Sequence, residues 1–262
     1  MSQRTFFGTL RLGILVAILV FVALGAWLDR VRSRDWDAPL RITVYPVADS
    51  MAADVRAYTA SLSAEDFRDV EVFFRKEAAS YGVKLEQPVR ISVSSAATVT
   101  PPALPERPGR LTIALWSLRM RYFAARTAWK DPLPTPDIQV FALYSPLRAG
   151  AAAMPDSIGL SKGLMAVTHL YGDARAAGSN QVVLAHEILH TLGATDKYDL
   201  ASGQPLVPTG LAEPDRRPLY PQRFGEIMGG RIATAANTAV IADSLDDMRV
   251  GPQTAGEIGW GT

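Results

Sequence analysis

The chain has 262 residues, 48% hydrophobic and 20% charged, a balance that excludes a disordered tail and allows a sizeable core in one large or two small domains. Its formal net charge is +1, but Arg4, Arg11, Arg30, Arg32 and Arg34 all lie in the first 36 residues; without these and Asp29 and Asp35, 22 bases face 24 acids, which removes the electrostatic case for nucleic acid. No cysteine is present, so neither a disulfide framework nor a thiolate metal site is available, and the absence suits a reducing or an oxidising compartment equally.

Residues 1–11 form an N-terminal tail, and Leu12 to Leu28 follows as an uncharged apolar run flanked by Arg11 and by Asp29-Arg30. Its 17 residues meet the lower limit for crossing a bilayer. A cleaved signal peptide is the competing reading, with Ala23-Leu24-Gly25 as the small-residue site. The length of the run and the arginines directly after it favour an uncleaved transmembrane anchor. Arginines on both sides nearly balance the positive-inside rule. Because the whole body follows the run, a single-pass cell-membrane protein with its body on the extracytoplasmic side is expected.

Residues 29–39 read as a linker and 40–262 as one domain. Leu40 to Val47 alternates Ile42, Val44 and Val47 with polar partners, as a strand does. Ser63 and Asp66 have capping-box spacing, and Phe67, Val70, Phe73, Phe74 and Ala78 recur at helical intervals up to Tyr81-Gly82. Val89 to Val93 is a second strand, and Thr100 to Gly109 a proline-rich loop. Leu111 to Trp129 reads as a helix with Trp116, Met120 and Phe123 on one side; Arg119, Arg121 and Arg126 read as a solvated face, with acidic substrate or lipid as the alternative contact. After a break at Asp131 to Pro136, Ile138 to Tyr144 and Leu164 to Leu170 read as strands, and His169 on the second as a sheet-surface histidine, or else a substrate contact.

The chemistry sits in Val182 to Tyr198. His186-Glu187-Ile188-Leu189-His190 is an H-E-x-x-H pattern, and on a helix residues four apart share a face, so His186 and His190 can meet one Zn²⁺. Glu187, about 100° round the helix from His186, falls beside the metal, where a general base belongs. Val182, Val183, Leu184, Ile188, Leu189 and Leu192 cover the remaining sides. Gly193 suits a helix end with φ > 0, and the following turn can return Asp196 as a third ligand. Glu213, Glu226 and Asp199 are rival third ligands without the same spacing.

The pattern from His186 to Asp196 resembles the metzincin metalloproteases, whose signature is H-E-x-x-H-x-x-G-x-x-H with a later methionine turn. Asp196 stands where the last histidine would be, a departure shared with the snapalysin-type metzincins. The resemblance, close only over Val182 to Gly230, implies that Met228 in Phe224-Gly225-Glu226-Ile227-Met228-Gly229-Gly230 packs beneath the ligands without binding the metal. It also implies an α/β (α+β) zincin domain with a mixed twisted sheet and the active-site helix beneath it.

The activity implied is hydrolysis of protein or peptide amides, with zinc as cofactor and Glu187 as general base. Tyr198 and Tyr220 read mainly as packing residues, and as candidates to donate a hydrogen bond to an oxyanion. The long segment Ala201 to Arg223 is expected to wall the cleft, and Ser244 to Trp260 to be helical in part and to cover the core. Two other readings stand beside the peptidase: a catalytically silent zinc-containing envelope binding module, which has no need of Glu187, and a structural zinc site, which normally has four protein ligands.

Overall fold

The computed structural model describes residues 13, 16, 32–95, 97, 100–105, 109–147, 158–160 and 164–261. The tail and the apolar run with its expected anchor lie outside the described residues, apart from helical Gly13 and Val16. Among the described residues no helix is long and apolar enough to cross a membrane.

The framework is a five-stranded sheet of β1 (Leu40–Ala48), β2 (Val89–Val93), β3 (Ile138–Ser145), β4 (Ile158–Leu160) and β5 (Met165–Tyr171), in the order β2-β1-β3-β5-β4. Four strands are parallel; β4 joins the edge antiparallel to β5, with Gly159 opposite Ala166. The sheet is therefore mixed, as expected. β1 and β3 carry apolar residues on both faces because helices cover both. Ile42, Val44, Ile138, Val140 and Ala142 face one core, and Tyr45, Val47, Phe141 and Leu143 the other. The simple alternation read for β1 thus gives way to a strand buried on both sides.

On the first face lie α1 (Ala53–Ser61), α2 (Arg68–Ser80) and α4 (Ala177–Leu192). A capping box of Ser63 and Asp66 opens the 3-10 turn Ala64–Phe67 that leads into α2, and Phe67, Val70, Phe73, Phe74 and Ala78 are all buried, as their spacing predicts. The opposite face is covered by α3 (Arg110–Lys130), from which Trp116, Met120 and Ala124 enter the second core. Phe123 packs at 5.1 Å, between ring centroids, on Phe141. Emptying such a position, as in Phe141→Ala, costs about 3–5 kcal/mol.

Beyond α4 the chain forms a region of short pieces: β6 (Gly225–Glu226) pairs with β9 (Met248–Arg249), β7 (Ile232–Ala235) with β8 (Thr238–Val240), and α5 (Pro252–Glu257) closes the fold. The tail is helical in part, as its sequence suggests, with a 3-10 turn at Leu245–Asp247 and α5, and Ile258 and Trp260 complete the core under α4. At the other end of the described chain, the Arg34 Nε donates to the Leu192 carbonyl at 2.8 Å and the Trp36 Nε1 to the Ile258 carbonyl at 2.8 Å. Trp36 also packs against Trp260, 5.4 Å between ring centroids.

Candidate metal centre

Helix α4 is pinned at its start by Asn180, whose side-chain amide accepts from the Tyr171 N–H and donates to the Tyr171 carbonyl. Leu184, Ala185, Ile188, Leu189 and Leu192 bury one side of the helix in the core, each 1% exposed or less. That packing fixes the rotation of the helix and so aims the other side, with His186 and His190, into the cleft.

Both imidazoles are held from behind by backbone. His186 Nδ1 lies 2.9 Å from the Ile227 carbonyl and His190 Nδ1 2.8 Å from the Ala194 carbonyl. A carbonyl can only accept, so Nδ1 of each ring carries the proton and Nε2 of each neutral ring presents a lone pair. Both Nε2 atoms lie 3.1 Å from Asp196 Oδ1. Glu187, 4% exposed, is next to them, and ligand atoms of His186, Glu187 and His190 all fall within 4.8 Å of one another.

Three acceptor atoms without a proton among them repel one another unless a cation lies between. Tetrahedral ligands about 2.0–2.1 Å from zinc are about 3.3 Å apart, close to the spacing seen. Protonation is the other remedy. Burial opposes charging His190, yet its hydrogen bonds with Asp196 and the Ala194 carbonyl, and the nearby Glu187 charge, outweigh that and raise its pKa. Burial likewise works to raise the Asp196 carboxyl, and the two histidines overcome it and hold it well below the usual range. The cluster attracts positive charge.

The turns that complete the site follow from the sequence. Gly193 caps α4 at φ 102°, and its N–H and that of Ala194 return to the His190 and Leu189 carbonyls, each at 3.0 Å. This reversal places both the Ala194 carbonyl behind His190 and Asp196 in front of it. Met228 is fully buried in the 3-10 turn Ile227–Gly229, in the same core as the apolar side of α4. The turn is tied to its surroundings on both sides: the Ile227 carbonyl meets His186, and the Met228 carbonyl accepts from the Lys197 N–H at 2.8 Å.

Rival ligands are engaged elsewhere. Glu226 is buried and accepts from the Gly229 N–H, the Gly251 N–H and the Thr254 hydroxyl, which anchors the 3-10 turn Ile227–Gly229 to α5. Glu213 pairs with Arg216 and Arg223, and Asp199 accepts from Ser202. His169 lies on the odd-numbered face of β5 with Met165 and Val167, turned from α4 towards α3. The Tyr198 ring lies 6.4 Å from that of His186. Tyr220, half-buried in the long loop, has no hydrogen bond or ring contact to the cluster.

Sequence reasoning missed Ala194 and Ile227, whose contribution is a carbonyl that any residue would supply. It also missed Lys197, 2% exposed, which donates to the Thr195 carbonyl and to Glu257, each at 2.9 Å, and so stiffens the Asp196 turn. A lysine two residues from a charged loop carries no local sign of burial. No family model matches the chain, and no curated protein matches it.

Proposed function

We propose that the protein is a metzincin-like zinc endopeptidase in which His186, His190 and Asp196 hold the metal and Glu187 is the general base. The observation that carries the reading is the pair of Nδ1–H bonds to backbone carbonyls, which turns both Nε2 lone pairs onto one Asp196 oxygen at 3.1 Å. Two imidazoles and a carboxylate form the donor set of a catalytic zinc site with one position left for water. When bound, zinc would supply an acidified water and polarise the scissile carbonyl.

Glu187 accepts a proton at its carboxylate and returns it to the leaving amine. Tyr198, whose ring lies 6.4 Å from that of His186, is our candidate to donate a hydrogen bond to an oxyanion. The edge strand β4, antiparallel to β5 and packed beside α4, offers its backbone to an extended peptide. Leu12 to Leu28 anchors the body at the extracytoplasmic face of the cell membrane.

The test is metal content and proteolysis of the full chain. We expect about one zinc per chain in the parent and in Glu187→Ala, and less in Asp196→Ala. An unstructured protein substrate should be cleaved by the parent, and about 10²–10⁴-fold more slowly by Glu187→Ala. Chelation should abolish cleavage and added zinc restore it. Absence of bound metal, or undiminished cleavage by Glu187→Ala, would overturn the reading.

A further inference from the structure

Helix α3 is apolar on two faces. Trp116, Met120 and Ala124 meet the sheet, while Leu111, Leu115, Leu118, Tyr122 and Trp129 are each between 58% and 91% exposed. Counted from Leu111, the outer residues fall at intervals of 4, 7, 11 and 18, so they form one stripe along a helix about 31 Å long at 1.5 Å per residue. Single exposed leucines are ordinary; a continuous apolar stripe is not.

Charge points to what the stripe meets. α3 contains Arg110, Arg119, Arg121, Arg126 and Lys130 and no acidic residue. The rest of residues 37–262 holds 17 bases against 24 acids, so the helix is a cationic island on an acidic body. Apolar side chains with an indole and a phenol among them, flanked by long basic side chains that can bend their charges outward, suit the boundary between acyl chains and headgroups.

The path of the chain agrees. Arg32, Asp35, Asp37 and Arg41 line one groove with Thr135 to Asp137, which follow the Trp129 end of α3. The described start of the body at Arg32 therefore lies beside the segment that leaves that end of the helix. We propose that the outer face of α3 docks on an anionic phospholipid bilayer, lying on its surface without crossing it.

The absence of cysteine allows a direct test. Leu118→Cys in the full chain, spin-labelled and reconstituted in vesicles, is compared with Arg75→Cys, exposed on α2 across the sheet. Vesicles are phosphatidylcholine alone or mixed with phosphatidylglycerol; the readout is label collision with oxygen and with a water-soluble nickel chelate. With phosphatidylglycerol, the label at 118 should gain oxygen contact and lose nickel contact severalfold, and the label at 75 should not change. Arg119→Gln with Arg126→Gln should remove the difference while circular dichroism stays that of the parent. Equal nickel contact at 118 in both vesicles would mean a solvated face and overturn the proposal. Shielding of that label from both quenchers would mean a protein cover, a second copy or another partner, and would overturn it too.

Discussion

At the scale of single residues, the chain builds its site by assigning protons. The Ile227 and Ala194 carbonyls fix the tautomers of His186 and His190, and Asp196 supplies the third acceptor at 3.1 Å from both. His186, Glu187, His190 and Asp196 were legible in the sequence because their contribution lies in the identity of the side chain. Glu226 was not, because a glutamate next to a turn looks the same whether it faces water or accepts three hydrogen bonds in the core. Removing those acceptors leaves buried donors unsatisfied. Glu226→Ala should therefore lower unfolding stability by at least about 1–3 kcal/mol in denaturant titrations. Because the turn also carries the Ile227 carbonyl, the same variant should bind zinc more weakly by elemental analysis.

Among elements, periodicity served where an element has one buried face or a capping box, as in α2, and failed where burial is sparse. α1 buries only Val55, and β4 is three residues long and exists through pairing with β5, so neither leaves a local signature. For α3, periodicity located the face on the sheet and was silent about the second apolar stripe. The end of α4 is stricter. Gly193 sits at φ 102°, and an added Cβ would fall 1.8 Å from Arg34 Nη2. Gly193→Ala should destabilise the protein by about 1–2 kcal/mol from backbone conformation alone, read by thermal or denaturant unfolding. The long loop offers a pH test. Hydrogen bonding from Arg223 holds the Glu213 carboxyl down at about 2. A depressed carboxyl stabilises the fold above its unfolded value near 4.5 and loses that contribution as pH falls through the folded value. The melting temperature of the parent should thus exceed that of Glu213→Gln at neutral pH, and the two should converge as pH approaches about 2.

Across the whole molecule, one layer of helices and a mixed sheet place the candidate centre on one side, and a cationic, apolar-striped helix lies on the other. The parallel order β2-β1-β3-β5 was only partly legible, since sequence shows strands but not which ones are neighbours. Arg34 and Trp36 join the described start of the chain to the end of α4 and to the tail. Trp36→Ala should cost about 3–5 kcal/mol and, through Trp260 and Ile258, loosen the core below the histidines, measurable as a lower melting temperature. The clamp also makes the position of a proteolytic cut matter to the stability of the body. A cut before Ser33 would free a unit that keeps Arg34 against Leu192 and Trp36 against Ile258, whereas a cut after Trp36 would free one that has lost both fastenings. A few residues of chain thus decide whether a trimmed fragment keeps both ties to the end of α4 and the tail.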